Sequence, residues 1–514
     1  MYIYNLGQRF EYIVRKNKKK TAIIYENKGE QSFESLEIQS NQIANYLINQ
    51  GLRAKDVVAI QNSKKSVSFA TMIACLKLGI IYTNFDFTNP KERIKKIFLT
   101  ACPKMVIADS MNEIVCELCD LMQIKYVNME NNDILQKITS NSEVLAKETI
   151  NSVSDCNPAY IMFTSGSTGI PKGVLISQRS LLNFIDWGKE TFCLNDNDIL
   201  TNVNPIYFDN SVFDFYCSIF NGITMVAIPK YITEKPKEML KIIDETKCTF
   251  WFSVPSMLIY LTNLKLLGRN TLQNIRAFSF GGEGYPKELL RKLYEIYSES
   301  ADFYNVYGPT EGTCICSAYQ ITKEDMEQDG LVSLGQIAPN FDYLILDEEG
   351  NEKTVGELYL LGNQLALGYY NDEERTSKSF IKYDKNHNYD VRMYKTGDLV
   401  KVIDGRLFFV GRADNQIKHM GYRIELEEIE NALVKIDGIT QCAVVHTVSK
   451  NNFSKIIGFI ATEKSMDSEY VRKELKKYLP SYMIPNSFEF LREIPKNLNG
   501  KIDKMALLKR VKYL

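Results

Sequence analysis

A chain of 514 residues exceeds what one hydrophobic core organises, so a large body with a smaller domain is expected, and 45% apolar content suits a globular enzyme. With 62 basic against 63 acidic residues and a formal charge of −1, nothing electrostatic recruits nucleic acid or an anionic membrane. Eleven cysteines without a framework of spacings, and only three histidines, argue against a disulfide scaffold, a zinc cluster or a histidine-based triad.

The N-terminal MYIYNLGQRFEYIVRKNKKK has neither the apolar core nor the cleavage site of a signal peptide, and its basic run from Arg15 to Lys20 reads as a solvated helix end. No uncharged apolar stretch approaches about 18 residues, so a cytoplasmic protein without membrane insertion is expected. Short β-rich runs follow, VVAIQ (57–61), MVIAD (105–109) and IKYVN (124–128), separated by amphipathic stretches. That alternation predicts parallel sheets with crossover helices.

The segment YIMFTSGSTGIPKG (160–173) packs small and hydroxyl residues between an apolar run and Lys172. Glycines let backbone approach an anion, hydroxyls and N–H groups donate to phosphate oxygens, and the lysine adds charge. It reads as a nucleotide-phosphate loop comprising Thr164, Ser165, Gly166, Ser167, Thr168, Gly169 and Lys172. It is not a Walker A loop, because Gly173 rather than Ser or Thr follows the lysine.

In NPIYFDNSVFDFY (204–216), Asp209 stands in an aromatic stretch where a carboxylate is costly to bury unless paired, and it reads either as a helix N-cap or as a partner for a cation. Asp214 reads as the better N-cap or surface residue. Next come SFGGEGYP (279–286) and NVYGPTEG (305–312), in which Gly281 and Gly282 admit a flat ligand, Tyr307 offers an aromatic face and Glu311 a hard oxygen. Between about 340 and 412 short strands with turn signals predict an antiparallel, barrel-like section. Within it YKTGDLV (394–400) places Asp398 after a glycine turn, and a carboxylate there suits two hydroxyl protons. GRADNQIKHMGYRIELEEIE (411–430) marks a boundary, and a compact α+β unit follows. NLNGKIDK (497–504) sets Lys501 after an Asn-Gly turn.

In this order and at these spacings, from LKLGIIYTNFDFTNP (76–90) to Lys501, the motifs resemble the adenylate-forming superfamily of acyl-CoA synthetases, luciferases and amino-acid adenylation domains. Thr83-Asn84 departs from the Val-Pro of many members without touching the chemistry. The resemblance implies an α/β fold: a large N-terminal domain (1–412) of two parallel-rich sheets with helices plus the barrel-like section, and a small mobile α+β domain (413–514) turning at Asp414. It also implies ATP and Mg²⁺, with Thr164 and Glu311 on the metal and Asn305 on the adenine amino group. Tyr307 would lie against the adenine, with Gly282, Glu283, Gly308 and Thr310 around the nucleotide. Asp398 would take the ribose, Arg412 would contact the nucleotide, and Lys501 would bridge the substrate carboxylate and the α-phosphate.

Amino-acid-activating members place a carboxylate for the substrate's α-ammonium where Asp209 stands, and the spellings SVFD, FSVPS, FGGE and YLPSYMIP resemble D-alanine–carrier protein ligases and single-module peptide synthetase domains. Carried over one by one, the pocket lining is Asp209, Asn210, Phe213, Phe252, Phe278, Phe280, Val306, Cys314 and Ile315, with Phe278 open between pocket and core. Four phenylalanines imply a small or apolar amino acid, D-alanine among them. The product is an aminoacyl-AMP, then a thioester on the phosphopantetheine of a carrier protein. Because the chain stops soon after Lys501, that carrier is expected in trans. The alternatives are an acyl-CoA or aryl-acid ligase of the same superfamily, and a non-catalytic nucleotide-binding protein, against which Lys501 counts.

Overall fold

In a computed structural model, which describes residues 2–328, 330–383, 391–448, 454–462, 464–496 and 502–511, the chain falls into two compact units. The first comprises residues 1–86, 101–163 and 173–413; the second comprises 87–100, 164–172 and 414–514.

In the first unit the apolar runs form strands as expected. Val57–Gln61 pairs in parallel with Ile81–Phe85 on one side and with Met105–Ala108 on the other, and Lys125–Asn128 continues the sheet. These belong to a seven-stranded sheet that also holds Pro158–Thr164 and Lys172–Ser177. A nine-stranded sheet runs from Gln336–Ile337 to Glu30–Ser32, with Asp302–Tyr307, Ala277–Gly281, Phe250–Ser253 and Ile199–Asn202 adjacent in that order. Its strands from 250, 277 and 302 are parallel, which places their carboxyl ends, and the turns after them, on one edge. Ligands of open α/β sheets bind at that edge.

The helix Ser66–Leu78 is apolar all round, and residues 68–78 are buried, so it lies inside the core rather than on it. Phe69 stacks on Phe215 with ring centroids 5.7 Å apart, tying that helix to the segment after Asp209. The predicted barrel-like section is a five-stranded antiparallel sheet in which the long strand Val391–Ile403 pairs with Val355–Gly362, Phe380–Tyr383 and Arg406–Arg412.

The second unit has its own apolar core, built from Ile424, Ile429, Leu433, Val444, Ile456, Ile460, Val471 and Leu475. Its three-stranded sheet pairs Ile439–Val448 antiparallel with Ser454–Thr462, which runs parallel to Ser487–Leu491. A hairpin of Gln416–His419 and Tyr422–Glu425 precedes the helix Leu426–Leu433. Lys501 lies outside the described residues.

Candidate active site

The end of the strand Asp302–Tyr307 and the turn after it form the hub of the site in the first unit, because Asn305, Tyr307, Thr310 and Glu311 reach four separate segments. Asn305, buried, donates from Nδ2 to the Ser333 carbonyl at 2.8 Å. The Tyr307 hydroxyl donates to Asp398 Oδ2 at 2.6 Å. Burial, reinforced by the Asp398 carboxylate, pushes the Tyr307 hydroxyl well above its ordinary pKa and keeps it a donor. Thr310 Oγ1 donates to Asp209 Oδ2 at 2.5 Å, and Tyr369 donates to Glu311 Oε1 at 2.7 Å. Glu311 is fully buried, so this donor offsets part of the cost of holding its charge away from water.

Glycine is required where backbones touch here. A Cβ on Gly308 would meet the Cys314 carbonyl oxygen at 2.3 Å, and one on Gly281 would meet that of Val306 at the same distance. Gly282, at φ +91, turns the chain toward Glu283, whose Oε1 accepts from the Ser256 amide at 2.8 Å. Thr313 and Cys314 hold left-handed φ values of 60 and 73, a strain of about 1–3 kcal/mol each, and the Thr313 hydroxyl bonds the Gln364 carbonyl to fix the bend. Burial first, and then the charge of Asp209, raise the pKa of the Cys314 thiol.

On the strand Val391–Ile403, Asp398 is buried and engages two partners, Tyr307 through Oδ2 and Arg412 through Oδ1 at 2.6 Å. Arg412 sits directly across the ladder from Asp398, so the antiparallel register sets this ion pair.

Asp209 stands at the start of the short helix Asn210–Val212, yet its side chain makes no cap bond there. It is turned to Thr310, and of the two readings open from sequence the N-cap is not the one realised. The next turn, Phe213–Cys217, is a π-turn, a widening often found at functional sites. Phe213 meets Phe252 edge to face at 5.0 Å.

Two expectations are corrected. Asp214 is neither cap nor surface residue: it is fully buried, its Oδ2 accepts from Asn202 and Asn204 at 3.0 Å each, and burial raises its carboxyl pKa. Asn204 also donates to the Phe252 carbonyl at 3.0 Å, so this network braces the Phe213 turn against the Phe252 strand.

Phe278 and Phe280 do not share a lining with Phe252. In the parallel register Phe252 stands beside Ser279, and Gly281 beside Val306, so alternation along Ala277–Gly281 sends both phenylalanines to the opposite face. There Phe278 stacks on Phe303 at 5.4 Å and Phe280 meets Tyr285 at 4.9 Å, inside a separate core. Ser279 and Gly281 occupy the face of Phe252 instead. Ser279 is fully buried and its hydroxyl has no protein partner. Period-two alternation before the Gly-Gly pair was the sequence signal that could have found them.

In the second unit, Thr164 begins the loop with Oγ1 buried and without a protein partner, an oxygen suited to a hard cation or a phosphate. Gly169, at φ +73, closes the turn, and Lys172 is buried. Asp414 accepts from the Gln416 amide at 3.2 Å. Each unit thus offers an oxygen of the hard kind that magnesium takes: the buried Glu311 carboxylate in the first and the Thr164 hydroxyl in the second.

Known proteins resemble this chain along most of its length. The AMP-binding enzyme family matches residues 10–370, and the AMP-binding enzyme C-terminal domain matches residues 428–501. A D-alanine–D-alanyl carrier protein ligase of Listeria monocytogenes serovar 1/2a is 32% identical over 493 residues, covering 93% of each chain. The zwittermicin A synthase ZmaJ of Bacillus cereus is 30% identical over 514 residues, covering 98% of this chain and 95% of its own. The Vibrio cholerae adenylation domain AlmE, solved in complex with glycyl-adenosine-5'-phosphate, aligns with a TM-score of 0.84 over 100% of this chain and 99% of its own, a likeness of fold at 22% identity. With a family match spanning most of its length and relatives 30% and 32% identical over more than nine-tenths of each chain, this chain belongs to the AMP-binding, adenylate-forming enzymes.

Proposed function

We propose that the protein activates a small or apolar amino acid, D-alanine among the candidates, as an aminoacyl-AMP and passes it to the phosphopantetheine thiol of a separate carrier protein. The observation that supports this most is the Thr310–Asp209 hydrogen bond, which holds a carboxylate at the turn carrying Tyr307 and Glu311. A fatty or aryl acid brings no ammonium for that carboxylate.

The chemistry follows from charge. A substrate carboxylate attacking the α-phosphorus of ATP brings anion to anion, so the reaction depends on cations and donors that gather the developing charge. In this reading Thr164 and Glu311 hold magnesium, which supplies Lewis-acid stabilisation of phosphate oxygens when bound. Ser165, Gly166, Ser167, Thr168, Gly169 and Lys172 serve the phosphates, and Lys501 bridges the carboxylate and the α-phosphate. Asn305, Tyr307, Gly282, Glu283, Gly308 and Thr310 form the nucleotide surroundings. Asp398 takes the ribose hydroxyls and Arg412 the nucleotide, their mutual ion pair holding both in register. Lys501 would arrive with a small domain, residues 413–514, pivoting at Asp414.

Asp209 takes the α-ammonium. The side-chain end is lined by Asn210, Phe213, Phe252, Ser279, Gly281, Val306, Cys314 and Ile315, where two rings at 5.0 Å fill volume and favour a short side chain. The relatives named as D-alanine–D-alanyl carrier protein ligases, matched along 93% of their length, support both a small substrate and a separate carrier. Among the described residues no helix is long and apolar enough to cross a membrane, and the need for ATP supports a cytoplasmic setting.

ATP–pyrophosphate exchange across amino acids of both configurations, with fatty and aryl acids alongside, tests this reading. Exchange driven by a small amino acid supports it, and exchange driven only by a fatty or aryl acid overturns it.

A further inference from the structure

Within the second unit the phosphate loop is gripped by two helices in a reciprocal pattern. The helix Lys91–Ala101 presents Arg93 and Lys96, and the helix Leu426–Leu433 presents Glu428 and Asn431. Each pair is spaced i, i+3 and so shares one helix face. Arg93 and Glu428 bond one another in an ion pair with side chains only 7% and 3% exposed. Their helix-mates turn to the loop: Lys96 Nζ donates to the Gly169 carbonyl at 2.5 Å, and Asn431 Nδ2 donates to the Ser167 carbonyl at 3.0 Å. From the hairpin before the second helix, the Arg423 carbonyl accepts from Ser165 Oγ at 2.6 Å.

A serine hydroxyl has one proton to donate. With that proton on Arg423, Ser165 has none for a β- or γ-phosphate oxygen, so the gripped loop does not suit a bound pyrophosphate group. It suits the stage after pyrophosphate has left. A buried ion pair is weak evidence for stability but a good register device, since breaking it strands a charge.

Resting on the proposed two-step function, we propose that Arg93–Glu428 is a positioning pair that latches these two helices onto the 164–172 loop for thioester formation and is dispensable for adenylation. In that second step the thiol sulfur bonds the acyl carbon and the acyl C–O bond to the phosphate breaks. Its electron pair leaves with AMP, and the thiol proton passes to water. Neither Arg93 nor Glu428 touches a reacting atom in this scheme; they act through Lys96, Asn431 and the loop.

The test measures pyrophosphate exchange and thioester formation on free pantetheine in the same full-length preparations, using the amino acid that supports exchange. The variants are Arg93→Met, Glu428→Gln, which keeps volume and a hydrogen-bonding group, and the exchanged pair Arg93→Glu with Glu428→Arg. Variants are compared where their thermal melts match that of the unaltered chain. We expect thioester formation to fall by about tenfold or more in the single variants and exchange to stay within about twofold, the split that separates positioning from general damage. The exchanged pair should recover part of the loss. Parallel losses in both steps, or no loss in either, would overturn the latch while leaving the two-step reading intact. Absence of exchange in the unaltered chain would overturn both.

Discussion

Replacing Asp209 by Asn removes one negative charge and little else, because the amide oxygen can still accept from Thr310 Oγ1, which lies 2.5 Å from the carboxylate. The perturbation therefore isolates the ammonium contact from the geometry of the turn. A net hydrogen bond to a charged group contributes about 1.5–3 kcal/mol, which corresponds to about 10- to 150-fold in kcat/KM. The upper part of that range is expected, since Thr310 is buried and Asp209 itself is half-buried, so water screens the pair weakly. Pyrophosphate exchange, titrated separately with amino acid and with ATP, reads the effect. The amino-acid term should fall by that factor while the KM for ATP stays within about twofold. An amino-acid kcat/KM within about threefold of the unaltered enzyme, or an ATP term that falls equally, would refute the assignment.

Lys501→Ala should lower adenylate formation by about 100-fold or more with ATP affinity by calorimetry preserved, because a transition-state charge contact is lost; equal exchange rates would remove its role. Ser279→Ala removes a buried hydroxyl without a protein partner. Since stranding such a group costs about 1–3 kcal/mol, the variant should melt at the same or a higher temperature while its amino-acid preference changes, and a lower melt with unchanged preference would place the hydroxyl in the fold rather than the pocket. His419 and His446 converge on Ser454 Oγ at 2.6 and 2.7 Å in the second unit. Burial, and next the neighbouring His446, lower the His419 pKa to about 4 from 6.5. The unfolded chain therefore binds this proton more readily between those values, so stability is full above about pH 6.5 and is lost as pH falls toward 4. Hydrogen exchange in the 416–419 and 439–448 strands should show that loss, flattened in His419→Asn; an unchanged pH profile in the variant would contradict it.

Much of the first unit was legible because its signals are local. Val57–Gln61, Met105–Ala108 and Lys125–Asn128 are β-branched or apolar runs bounded by polar turns, and each emerged as a strand within a residue or so of its expected bounds. The segment 305–312 is legible through the aromatic face of Tyr307 and the hard oxygen of Glu311, and its residues meet Asp209 and Asp398 although about 90 to 100 positions separate them. What escaped depends on partners or on phase. Asp214 looked solvent-bound because nothing local announces that Asn202 and Asn204 will turn inward to receive it. The resemblance carries Phe280 into the lining and leaves Phe278 open between pocket and core, whereas the pairing of Phe252 with Ser279 decides which face each residue takes. That residues 87–100 and 164–172 group with the C-terminal hundred is a tertiary fact, expressed through Arg93–Glu428 and Lys96–Gly169, with no trace in either segment alone.

Mass spectrometry of the purified protein after incubation with ATP, magnesium and the amino acid preferred in exchange addresses the main proposal most directly. An aminoacyl-AMP bound near one per chain, released as AMP and a thioester when pantetheine is added, is the predicted result. Bound ATP left unconverted with every amino acid, or an adenylate formed only from a fatty or aryl acid, would contradict it.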